Sequence, residues 1–204
     1  MSPFSSRKWL KLSLLASRQD NLPGGWQDRP PGPSLGGMVH PLSRQLADTA
    51  KFTSTHAILV VETETSLPWL VTGAVLMVQQ ACVMALSEAG AELPAMPGPG
   101  ELVARVSDPA FLEQPYTAPL RPEEYRAIER VIAARNDVMH PRPKGLSLDA
   151  RALPEGLFTC TKLVRHLVIT QPVRPSMMDG HDLVVIQDAL GLIDTSSDFW
   201  ASVF

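Results

Sequence analysis

The sequence predicts an all-α protein, a helical bundle of about four to six helices. Apolar residues recur at spacings of three and four through several long segments. Prolines and glycines stand where such segments would begin and end, and no segment sustains the period-two alternation of a strand. The composition agrees. The 204 residues are 45% hydrophobic and 19% charged, which suits a globular chain with one substantial core.

The first 37 residues read differently from the rest. Arg7 and Lys8 precede WLKLSLLAS, but Lys11 interrupts an apolar region too short for an export signal, so a cytoplasmic location is the expectation. Residues 21–37, NLPGGWQDRPPGPSLGG, are dense in Pro and Gly, which remove backbone donors and raise the entropy cost of ordering the chain. Residues 1–37 are therefore read as an N-terminal extension and linker, and 38–204 as the helical domain.

Within that domain, residues 42–62 place Leu42, Leu46, Ala50 and Ala57 near one helix face. Residues 67–89 predict a second helix, with Pro68 in its first turn, where the missing N–H costs nothing. From Leu67 to Ser87 this segment carries no charge, which is long enough to span a bilayer. Gln79 and Gln80 in mid-run and the lack of a basic flank favour a helix buried in a bundle or dimer interface, with no membrane partner. LPAMPGPG ends it, and GELVARVSDP predicts a short third helix. LRPEEYRAIERVIAARNDVMHP predicts a fourth, with Pro122, Glu123 and Glu124 suited to its amino end and Pro141 stopping it. Helices over 154–169 and 181–193 complete the pattern. The run Leu183 to Ile186 is β-branched but too short to argue for a strand.

Charge and cysteine content exclude several classes. A net charge of −3 is not that of a polycation that coats nucleic acid. The basic charge is nonetheless uneven: residues 121–174 hold ten Lys/Arg against six Asp/Glu, a local +4 that leaves −7 elsewhere. Cys82 and Cys160 are too few for a disulfide framework and lack the spacing of a zinc site, and the five histidines lie far apart, so neither a metal nor a cofactor is expected. Cys82 reads as a small core residue, and His166 and His181 as ordinary helix residues.

ARNDVMHPRP, residues 134–143, crowds an arginine, an asparagine, an aspartate and a histidine into the end of the fourth helix. At about 100° per residue from Tyr125, Ile128, Val131, Ile132 and Met139 form an apolar stripe. Arg135 falls inside it, at about 280° on the same scale. A guanidinium there is costly unless it is paired or opens onto a cleft or partner subunit. Asn136 and His140, an i, i+4 pair, border the stripe, and Asp137 points away toward solvent.

RNDVMH, Arg135 to His140, resembles the Arg-x4-6-His motif of the HEPN superfamily, all-α domains found in toxin ribonucleases, RNA-processing enzymes and defence systems. The preceding helix, the following proline and the helical remainder, about residues 40–195, are similar to the family's bundle. The resemblance implies a metal-independent ribonuclease in which His140 moves protons and Arg135 stabilises the phosphorane. It also implies a homodimer, since one chain supplies one such histidine and the reaction needs an acid and a base. Asn136 would orient His140 or contact the phosphate, and Arg142 and Lys144 would extend the RNA site. The uncharged second helix, with Trp69, Met77 and Val78, offers the dimer surface. Some toxin members carry a tyrosine two residues after the histidine, where this chain has Arg142; this sets it apart from that modification-controlled subtype and leaves an antitoxin or other regulatory partner open. Two other readings stand beside this one: a non-catalytic nucleotide- or RNA-binding or dimerisation module, and an unrelated helical interaction protein in which Arg135 pairs with a buried acid.

Overall fold

Prolines begin four of the helices, and the computed structural model shows why they sit there. It describes residues 41–140, 146, 148–175 and 178–203. The helices are α1 Leu42–Leu59, α2 Leu67–Glu88, α3 Pro99–Val106, α4 Pro122–Met139, α5 Pro154–Arg165 and α6 Gly180–Val203, and no strand occurs among the described residues. Pro68, Pro99, Pro122 and Pro154 each occupy a first turn, where the backbone N–H has no helical partner to lose. The end of α2 is closed by Gly90, whose φ of 78° lets the Ala91 N–H reach back to the Leu86 carbonyl at 2.9 Å. The contacts group His40–Phe204 as one unit. The extension and linker assigned to residues 1–37 lie outside the described residues.

α2 is the central helix, packing against α1, α3, α4 and α5, while α6 lies against α1 and α5. Leu70, Val71, Met77, Val78, Cys82 and Leu86 are all fully buried along it. This corrects the assignment of Met77 and Val78 to a dimer surface: within one chain they already face other helices. Trp69, by contrast, is 54% exposed. α2 and the turn before it are long and apolar enough to cross a membrane, and 67% of that apolar window is buried inside the bundle.

Two glycines stand where neighbouring helices leave no room for a side chain. A Cβ on Gly73 of α2 would lie 2.4 Å from Thr53 Oγ1 on α1. A Cβ on Gly156 of α5 would meet Val131 Cγ2 at 2.4 Å and the Ala127 carbonyl oxygen of α4 at 2.8 Å. Two carboxylates of α6 tie it to its neighbours. Asp182, at the start of α6, accepts from Ser43 Oγ at 3.2 Å and Arg44 Nη1 at 3.1 Å on α1. Asp194 of α6 accepts from Thr161 at 2.5 Å and Arg165 at 2.7 Å on α5.

The bounds differ from the sequence expectation at three ends: α1 stops at Leu59 rather than at residue 62, and the other two concern α6 and α5. α6 continues beyond residue 193 to Val203, because Ser197 and Trp200 stay on the face of Leu190 and Ile193 and are buried with them. The polar run Asp194 to Asp198 hides that continuation in the sequence. After α5 the chain makes a π-helical turn, His166–Thr170, rather than a plain helical continuation.

Candidate functional site at the end of helix four

α4 is held firmly at its start. Glu124 Oε2 accepts from the Arg121 backbone N–H at 2.9 Å, closing the first turn, and Glu124 Oε1 accepts from Lys162 Nζ of α5 at 2.5 Å. Those two donors, in that order, keep the Glu124 carboxyl down at about pKa 2 despite its burial. Ala127, Ile128 and Val131 then enter the core. Lys162 faces residue 124 while Glu155 faces Arg130, so α4 and α5 run antiparallel, and residues 135–140 extend past the start of α5.

Cover therefore thins along the last two turns of α4. Ile132, Ala134, Arg135, Asp137 and Val138 are half-buried, and Asn136, Met139 and His140 are exposed. The apolar stripe inferred from angle holds to Val131 and then fades: Met139 is 49% exposed. Arg135 is thus at the rim of the core rather than within it, and Asp137 is half-buried where the angle placed it in solvent.

Arg135 Nη1 donates to Asn136 Oδ1 at 3.1 Å. The His140 backbone N–H donates to the Asn136 carbonyl at 3.0 Å, the last bond of α4, and at φ −120° and ψ 79° the chain then leaves the helix. Asn136 thereby touches both neighbours, one through its side chain and one through its backbone, while the His140 imidazole stands in solvent. Arg142 and Lys144 lie outside the described residues. Among the described residues, no carboxylate pairs with Arg135, whereas Arg130 pairs with Glu155 at 2.6 Å, Lys162 with Glu124 at 2.5 Å and Arg165 with Asp194 at 2.7 Å. Of these pairs only Arg165–Asp194 brings in a carboxylate from outside residues 121–174, so most of the local basic excess stands. Among the described residues, one of the five N–H groups of Arg135 is engaged, by Asn136.

A half-buried guanidinium with no carboxylate partner among the described residues can bind a phosphate oxygen, and an exposed imidazole five residues further along can move a proton. The five-donor fork also suits a trigonal or tetrahedral oxyanion better than an ammonium would. The two cysteine thiols are closed off inside the core. Burial pushes the Cys160 thiol up to about 12 and raises Cys82 further, the latter with a smaller contribution from Cys160. Among the described residues, no three His, Cys, Asp or Glu side chains converge as a metal would require. Comparison with protein-family models, curated proteins and solved structures finds no match for this chain.

Proposed function

We propose that the protein is an endoribonuclease of the HEPN type, which cleaves RNA without a metal at a composite site in a homodimer. The observation that carries this is Arg135: a guanidinium at the rim of the core, tied to Asn136 and free of any carboxylate among the described residues. In the reaction, a histidine removes the 2′-hydroxyl proton as that oxygen attacks the adjacent phosphorus. The bond to the 5′-oxygen breaks, and a second histidine returns a proton to that leaving oxygen. Two copies of His140 supply base and acid, and two copies of Arg135 hold the negative phosphorane oxygens. The products are a 2′,3′-cyclic phosphate and a 5′-hydroxyl, and the need for a 2′-hydroxyl makes RNA, not DNA, the substrate.

Met139, exposed beside His140, supplies the apolar contact in this arrangement, in place of the buried Met77 and Val78. A second reading is favoured by the His140 side chain, which has no orienting partner among the described residues. In that reading the same edge binds a nucleotide or RNA phosphate without cleaving it.

The test is incubation of the purified chain with single-stranded RNA in excess chelator, with mapping of the product ends. Cyclic phosphate ends are expected, together with a dimer in sedimentation at micromolar concentration that Met139→Asp converts to monomer. Tight RNA binding without cleavage would select the second reading. A persistent monomer that neither binds nor cleaves RNA would remove both.

A further inference from the structure

The amino-acid pattern places Lys162, Arg165 and His166 at i, i+3 and i+4, on one side of α5 as it enters its π-helical turn. Opposite them run Ala118, Pro119 and Leu120, and between lies a groove of about 190 Å³ with Leu163 at its base. That volume is roughly six water molecules' worth of liquid. Both walls are fixed. The Ala118 N–H donates to the Val106 carbonyl at 2.8 Å, and the Leu120 N–H to the Ala118 carbonyl at 2.9 Å. On the other side the Gln171 N–H reaches the His166 carbonyl at 2.8 Å, the five-residue step that makes the turn a π turn. Such turns are rare and frequently mark functional sites.

The cations on the rim are held but not used up. Among the described residues, Lys162 gives one of its three N–H groups to Glu124, and Arg165 gives one of its five to Asp194. Their side chains remain 42% and 36% exposed. The two carboxylates fix where the cations stand and leave donors directed elsewhere. His166 Nε2 lies 3.1 Å from the Tyr116 carbonyl oxygen; a carbonyl only accepts, so Nε2 donates, and the bond holds the ring against the 116–120 wall. The body of the groove is apolar, formed by Ala118, Pro119, Leu120 and Leu163.

From this we infer that the groove between residues 118–120 and the π turn binds a small organic carboxylate, its apolar body on Leu120 and Leu163 and its carboxylate on Lys162 and Arg165. The inference is independent of the roles proposed for Arg135 and His140. An apolar floor with a two-cation rim selects against inorganic anions, which gain nothing from the floor, and against neutral isosteres, whose carbonyl accepts weaker hydrogen bonds from the rim than a carboxylate does.

The experiment is a titration of the isotope-labelled full chain with benzoate, benzamide and inorganic phosphate, following the His166 ring and the Thr170 amide by NMR. Benzoate is expected to give saturable shifts at these two residues. Benzamide and phosphate are expected to bind at least tenfold more weakly, as is benzoate to Arg165→Gln, which loses one charge-assisted bond. Ala118→Leu fills the groove with every charge in place and should abolish the response, with an unchanged thermal melt as the check on folding. Equal affinity for benzoate and benzamide, a stronger response to phosphate, or full binding by Ala118→Leu each overturns the assignment.

Discussion

Lys162 of α5 donates to the Glu124 carboxylate of α4 at 2.5 Å, and that carboxylate also accepts from the Arg121 backbone N–H at 2.9 Å. One buried acid thus caps the motif helix and locks it to α5. It leaves the far end of α4, with Arg135 and His140, to project beyond the start of α5, at a position set by a contact about three turns before Arg135.

The first consequence is a pH dependence. The Glu124 carboxyl lies at about 2 in the folded chain, against an ordinary value of 4.5. A depressed carboxyl contributes stability that is fully present above 4.5 and is lost as pH falls toward 2. Denaturant unfolding followed from pH 6 to pH 2.5 should show a fall in stability over that window. Glu124→Gln should flatten it, at a cost of about 2 kcal/mol near neutrality. An unchanged slope in the variant would show that other carboxylates carry the acid sensitivity.

Two glycine substitutions should act in opposite directions. Gly156→Ala drives a methyl to 2.4 Å from Val131 Cγ2 and 2.8 Å from the Ala127 carbonyl oxygen, so the helices must part. That costs about 1–3 kcal/mol, more than helix propensity returns. Gly191→Ala meets nothing within 4 Å on exposed α6 and should stabilise by about 0.5–1 kcal/mol. Thermal melts of the two variants read both signs, and a stabilised Gly156→Ala would refute the close packing of α4 on α5.

Cys82 and Cys160 are both fully buried, and burial raises both thiols. Neither should react with a thiol reagent at neutral pH in the native chain, and both should react once denaturant unfolds it. Their labelling rate then reports opening of the core. Rapid labelling without denaturant would show that α2 and α5 separate locally.

At the candidate site, His140→Ala should abolish RNA cleavage while leaving RNA affinity and the melt nearly unchanged, because the side chain is exposed. Arg135→Ala should weaken binding and slow cleavage by about 10² or more. Arg135→Lys should restore binding better than rate, since it keeps the charge and loses the fork. Cleavage by both alanine variants at the parent's rate would sink the ribonuclease reading.

By itself the sequence determined where the helices begin. Prolines mark the starts of α2, α3, α4 and α5, a glycine follows the end of α2, and the threefold and fourfold apolar spacing fills the intervals. It also placed Arg135, Asn136 and His140 together at one helix end, because five residues of helix are local geometry. The tertiary structure decided what covers each face. Periodicity puts Met77 and Val78 on an apolar side but cannot say whether α1, α4 or a second chain lies over them; here the chain's own helices do. Likewise angle put Arg135 in the stripe, and only the antiparallel offset of α4 on α5 shows that the stripe has left the core by then. The groove beside the π turn was hidden for the same reason. Its two walls are some forty residues apart in the chain, and the donors left over on Lys162 and Arg165 can be counted only when Glu124 and Asp194 are in place.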